Sequence, residues 1–177
     1  MRQGNAQHKH LSTRGFTLIE LLVAVVVLAI LASVAAPNLV NFIANQQVKT
    51  TAQTLFTSLN LARSEAIQRN ESVWVLTTGE DEWHNGWIIT NDDDTTLADC
   101  QVANPPEACI RVFPANEGLV IEGPAQVRFT REGRVGGGTS PTFEFCDSEG
   151  SSNVERRVVR IDLTGRPNIQ RDGDCAS

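Results

Sequence analysis

The chain has 177 residues, 41% of them hydrophobic and 6% aromatic with no Tyr, and its formal charge is −6. That length allows one domain with an appendage. The acidic balance excludes the broad basic surface of a typical nucleic-acid-binding domain.

Residues 1–15, MRQGNAQHKHLSTRG, carry Arg2, Lys9 and Arg14 and no acid. From Phe16 to Ala36 the only charge is Glu20, in a run rich in Leu, Val, Ala and Ile. As a helix this run covers roughly 30 Å, the hydrocarbon thickness of a bilayer. A positive flank stays in the cytoplasm, so the expected topology is N-terminus inside, with the chain after Pro37 beyond the inner membrane. ASVAA at 32–36 also offers a signal-peptide cut, but the apolar stretch is long for a signal.

A carboxylate inside a membrane helix costs about 3 kcal/mol and by default marks function. Proximity to the interface is the bland account of Glu20. Cleavage between Gly15 and Phe16 supplies a sharper one, because the new α-amino group at Phe16 lies one helical turn from Glu20. The pair would neutralise itself within one subunit or bridge two of them.

Beyond Pro37, apolar residues recur at Val48, Ala52, Leu55, Phe56, Leu59, Ala62, Ala66 and Ile67, opposite Lys49, Gln53, Asn60, Ser64 and Gln68. The spacing predicts that the helix continues, amphipathic, to about Asn70, a rod of roughly 80 Å from Phe16. Short runs follow at 72–78, 86–90, 110–113, 119–122, 126–130, 142–146 and 157–163, and several alternate apolar and polar side chains. The expected fold is α+β, with antiparallel sheet wrapped on the second half of the helix.

GFTLIELLVAVVVLAILASVAAPN resembles the class III signal and first helix of type IV pilins and type II secretion pseudopilins. LARSEAIQRN at 61–70, EWHNGWIITNDDD at 82–94, FTREGRV at 129–135, TFEFC after it and RRVVRIDLTGRP near the end are similar to the FimT/FimU/GspH group. The resemblance runs from about Gly15 to Arg166, with 95–125 standing apart as a variable insertion.

The resemblance implies a pilin-like fold whose long N-terminal helix is transmembrane in its first half. The expected divisions are a cleaved leader at 1–15, a membrane half of the helix at 16–37, an amphipathic half at 38–70, and a β-rich domain with a C-terminal tail at 71–177. It implies cleavage by prepilin peptidase after Gly15, N-methylation of Phe16, subunit docking through Glu20 and a helix kink at Pro37. The implied partners are other minor pilins, the major pilin, prepilin peptidase and the inner membrane. The implied role is a minor pilin of the type IV pilus, or the H-type pseudopilin of type II secretion.

Cys100, Cys109, Cys146 and Cys175 lie in the part assigned to the periplasm, where disulfides persist. Four cysteines allow three pairings. The pairs 100–109 and 146–175 would close a short loop and tie the tail back, and a C-terminal disulfide loop also resembles many pilins. No zinc spacing, G-x-S-x-G or phosphate-binding loop occurs, so neither enzyme activity, metal nor cofactor is expected. Gly136-Gly137-Gly138 reads as a turn, Asp92-Asp93-Asp94 as a solvated loop, and His84 as structural or exposed.

DNA is the alternative partner. Some members of the FimT branch bind it through a glycine-arginine-x-arginine motif, against which Gly165-Arg166-Pro167-Asn168 matches only the first arginine. Arg156, Arg157, Arg160 and Arg171 lie nearby. Loss of the leader would take the formal charge from −6 to −9, so this footprint would be local.

Overall fold

A computed structural model of the chain describes residues 16–79 and 81–175; the side chains of residues 34–38 lie outside that description. The chain divides into two units, Met1–Leu39 and Val40–Ser177. One helix, α1 (Leu18–Arg69), contributes to both.

In the first unit the side chains of Phe16, Leu18, Ile19, Leu21, Leu28 and Leu31 are all exposed. A helix apolar on every side needs a non-aqueous surrounding. Among the described residues no helix is long and apolar enough to cross a membrane. The span expected at 16–37 includes side chains outside the description, and so does Pro37, which falls within the helical range.

In the second unit α1 buries Val48, Ala52, Leu55, Leu59, Ala62 and Ala66 completely, at three- and four-residue spacing. Phe56 is half-buried and Ile67 exposed, so the stripe is narrower than its apolar residues. Asn70 ends the helix at φ +55°, a left-handed conformation that Asn tolerates better than most residues.

Among the described residues eight antiparallel strands follow: β1 (Val73–Leu76), β2 (Trp87–Thr90), β3 (Cys109–Phe113), β4 (Leu119–Glu122), β5 (Gln126–Phe129), β6 (Thr142–Asp147), β7 (Glu155–Ile161) and β8 (Pro167–Asp174). They form two four-stranded sheets, ordered β3-β2-β1-β5 and β4-β6-β7-β8. Val127 and Phe129 of β5, and Phe143 and Phe145 of β6, join α1 in one core as their alternation requires. Polar atoms inside it are paired: Trp87 Nε1 donates to Ser58 Oγ (3.0 Å), and Trp83 Nε1 to the Pro124 carbonyl (2.8 Å).

The structure adds elements that the spacing did not predict, among them a short 3-10 turn at Trp83–Asn85. The expected C-terminal tail contains β8, which pairs with β7 from Pro167 to Asp174. Inside 95–125 a short helix, α2 (Leu97–Cys100), opens on a capping box between Thr96 and Asp99. Leu97 and Cys100 pack with Leu76 and Ile88 in a small second core, which helps explain why all four residues of β2 are buried.

The disulfides are Cys100–Cys109 and Cys146–Cys175. Replacing Cys146 and Cys175 by Ser, 29 residues apart, is expected to cost about 3–4 kcal/mol through the entropy of the unfolded chain. The 9-residue separation of Cys100 and Cys109 predicts a smaller loss of about 2–3 kcal/mol. Denaturant midpoints of the two double variants check the order. A larger loss at Cys100–Cys109 would show that the small core around α2, not chain entropy, dominates.

Candidate functional site

The first turn of α1 explains part of what Glu20 does. Thr17 precedes the helix, and its Oγ1 accepts a hydrogen bond from the Glu20 backbone N–H at 3.2 Å. Thr17-Leu18-Ile19-Glu20 therefore has the spacing of a capping box, with Thr17 as N-cap and the carboxylate at the third helical position. An acid there also faces the positive end of the helix dipole. The reading of Glu20 as an isolated charge missed Thr17, although T-x-x-E ahead of an apolar run is a sequence-level signal. Phe16 is exposed, and Gly15 lies outside the described residues.

The five C-terminal arginines separate into two groups. Arg156 reaches Glu144 (3.4 Å) and donates through Nε to the Asp172 carbonyl (2.8 Å). Arg157 and Arg171 share Glu155, at 2.9 and 2.8 Å. Arg160 and Arg166 instead line a cavity of about 480 Å³ with Ser140, Asp162 and Asn168. Asn168 stands opposite Arg160 in the β7–β8 register.

The turn that presents Arg166 is built on Asp162. Its Oδ1 accepts from the Thr164 hydroxyl (2.6 Å), the Thr164 N–H (2.9 Å) and the Arg166 N–H (2.9 Å). The Thr164 hydroxyl, followed by the Arg166 N–H, holds the carboxyl below the ordinary aspartate range. Because the folded value is lowered, the turn gains stability above the unfolded pKa and loses it as pH falls through the folded one. Gly165 closes the turn at φ +82°, where a Cβ would strike the Gly133 carbonyl. Arg63 of α1 donates through Nε to that same carbonyl (2.9 Å), fastening the turn, the loop after β5 and the helix together.

The other candidates show less organisation. Asp92, Asp93 and Asp94 are exposed with carboxylate oxygens within 4.8 Å of one another, and Asp92 bonds the Asp94 N–H and the Thr95 hydroxyl. Gly137 and Gly138 form a turn with positive φ. His84 Nδ1 is buried without a hydrogen-bond partner among the described residues.

The family model described as "Type II transport protein GspH" matches residues 51–165, from the packed half of α1 to the turn before Arg166. The chain belongs to the GspH family. A second family model, "Prokaryotic N-terminal methylation motif", matches residues 11–36. Among individual relatives, the type IV major pilin protein PilA of Myxococcus xanthus (strain DK1622) is 28% identical over 153 residues, covering 75% of this chain and 68% of that protein.

The crystal structure of the type IV minor pilin FimU of Pseudomonas aeruginosa (strain PAO1) superposes with a TM-score of 0.58 at 20% identity, over 76% of this chain and 98% of that one. The minor pseudopilin EpsH of the Vibrio cholerae type 2 secretion system gives 0.51 at 16% identity, over 72% and 98%. Such distant likenesses establish the fold. This GspH-family chain is thus a type IV pilin-like and pseudopilin-like subunit, with a methylation-type N-terminus ahead of a two-sheet domain.

Proposed function

We propose that the chain is a minor pilin, cleaved between Gly15 and Phe16 by prepilin peptidase and N-methylated at Phe16. It is held in the inner membrane by residues 16–37 with its domain in the periplasm. From there it enters a type IV pilus at low copy, where it primes assembly or joins the tip complex to the major pilin. It works by contact and catalyses no reaction. The supporting observation is the first unit: an exposed apolar helix whose one charge, Glu20, sits in its first turn. A helix of that kind needs like helices around it, and a carboxylate there needs a cationic partner.

The test is co-expression with prepilin peptidase, followed by N-terminal sequencing and recovery from sheared filaments. Wild type is expected to begin at Phe16, and Gly15→Ala to stay unprocessed; a mature Phe16 terminus in the variant would overturn the cleavage site. Recovery with pili supports the pilus role. Recovery with a secretion pseudopilus instead would favour the H-type pseudopilin, in line with the type II transport family to which the chain belongs and with its likeness to the minor pseudopilin EpsH.

DNA uptake is the second reading. It is favoured by the convergence of Arg160 and Arg166 on one cavity while Arg156, Arg157 and Arg171 are engaged by carboxylates.

A further inference from the structure

Two open sheets have four outer edges, and three of those in the second unit are guarded. β5 is covered by its own continuation, where the Thr130 N–H donates to the Arg134 carbonyl and the Gly136 N–H to the Arg128 carbonyl, both at 2.8 Å. β4 meets the segment before Trp83, through Glu82 beside Ile121 and the Asp81 N–H on the Gly123 carbonyl (3.1 Å). β8 carries Pro167, Arg171, Asp172 and Asp174, and proline and charge discourage further pairing.

The fourth edge is β3, Cys-Ile-Arg-Val-Phe, whose one charge is Arg111. It pairs with β2 on one side, and among the described residues no other group bonds the backbone of residues 110–113. An edge strand turns the N–H and C=O groups of alternate residues outward, so β3 is an open template for another strand.

Beside that edge lies a groove. A cavity of about 370 Å³ opens between Phe113 and α1 residues Lys49, Thr50, Gln53, Thr54 and Thr57. The Phe113 ring is steadied by stacking on Trp87 (5.3 Å, 16°). The Thr54 and Thr57 hydroxyls donate to the Thr50 and Gln53 carbonyls of their own helix, each at 2.9 Å. With those hydroxyls occupied, the ring and the threonine stems offer a seat for an apolar side chain.

Two bases flank the seat. Lys49 lines the groove, and the Arg111 guanidinium sits 5.9 Å from the centre of the Phe113 ring. Both are exposed and form no ion pair among the described residues. The lining itself holds no acid. Glu107 precedes β3 and Glu117 follows it, and neither pairs with these bases.

We infer that this groove takes an extended, acidic segment of a different protein, which adds to β3 as a fifth strand of the first sheet. Main-chain hydrogen bonds to β3 supply affinity, and alternate side chains supply selectivity. An apolar side chain rests against Phe113, and carboxylates meet Lys49 and Arg111. Residues 1–15 carry three bases and no acid, so they do not match the groove. The inference rests on the assembling-subunit reading only for the guest's source, another subunit of the filament.

The experiment selects binders from a library of short random peptides on the full-length chain in mild detergent. Selected peptides are then followed by fluorescence anisotropy and amide exchange. They are expected to alternate apolar residues with Asp or Glu and to slow exchange of the amides of residues 110–113. Lys49→Glu with Arg111→Glu is expected to weaken binding about tenfold at low salt, and high salt to weaken wild-type binding. Thr50→Trp, which fills the groove and keeps both bases, is expected to weaken it as well. N-methylating alternate peptide residues blocks one edge of the guest strand, so one of the two methylated series loses binding. The three substituted side chains are exposed, and melting curves confirm that each variant folds.

Selection that enriches no peptide, or only peptides without Asp or Glu, overturns the inference. So does binding that leaves residues 110–113 unprotected, survives both methylated series or ignores the substitutions. Self-association of wild type that protects residues 110–113 and is lost in the double reversal also overturns it, and gives the groove to a second copy. Peptide binding as expected in a chain that is neither processed nor incorporated removes the subunit role and supports the groove. Failed peptide binding in a chain that does enter filaments removes the groove alone.

Discussion

Truncating Phe143 to Ala is expected to remove about 3–5 kcal/mol of stability, the range for deleting a fully buried aromatic ring. Phe143 is 0% exposed, and its ring meets Trp83 edge-on at 4.8 Å and 81°. Trp83 lies 6.1 Å from Trp87, whose indole is tied to Ser58 of α1. One ring therefore helps join β6 of the second sheet to the first sheet and the helix. Gly123 leaves room for the ring, since a Cβ there would overlap it. Gly123→Ala alone is accordingly destabilising, while adding it to Phe143→Ala costs less than the sum, because the ring it would strike is gone. The core lies wholly within residues 44–175, so urea unfolding of residues 40–177 measures both effects. A loss below about 1 kcal/mol for Phe143→Ala would show that the two sheets do not depend on this contact.

Where a residue's burial follows from its own spacing, the sequence discloses it. The α1 stripe and the alternation of β5 and β6 are of that kind, because the period of the apolar residues is the period of the element. β8 is different. Pro-Asn-Ile-Gln-Arg-Asp-Gly-Asp has one apolar side chain besides its proline, and it becomes a strand because β7 presents backbone groups that need partners. Its Pro167 sits at the first position of an edge strand, where a missing N–H is tolerated. β7 is legible as a strand but not in its burial, since Val158 and Val159 are both buried and break the alternation.

The candidate site divides in the same way. Gly15, Phe16 and Glu20 stand out because a charge interrupts an apolar run. Which C-terminal arginines remain available is invisible in the chain order. Arg156 is held by Glu144 from a neighbouring strand, and Arg171 by Glu155 across the β7–β8 pair. Those partnerships are set by register, which composition does not encode. Arg63 is a further example: it lies on the helix stripe's flank, 70 residues from the carbonyl it binds.

Glu20→Ala is expected to leave membrane insertion intact and to reduce incorporation into filaments by more than about tenfold, since stranding one member of a buried charge pair costs several kcal/mol. The capping geometry supplies the rival explanation and also the means to separate it. The donor to Thr17 Oγ1 is the Glu20 backbone N–H, which no substitution at residue 20 other than Pro removes. Thr17→Ala deletes that cap and is worth about 1 kcal/mol, a local loosening of the first turn. Glu20→Gln keeps a side chain able to hydrogen-bond the start of the helix but removes the charge. If the carboxylate serves to meet the α-amino group of a processed Phe16, Gln fails as Ala does, and Thr17→Ala is milder than either. Filament fractions that rank Gln with wild type would instead assign Glu20 to the helix cap. The docking of neighbouring subunits would then rest on the exposed apolar surface of α1.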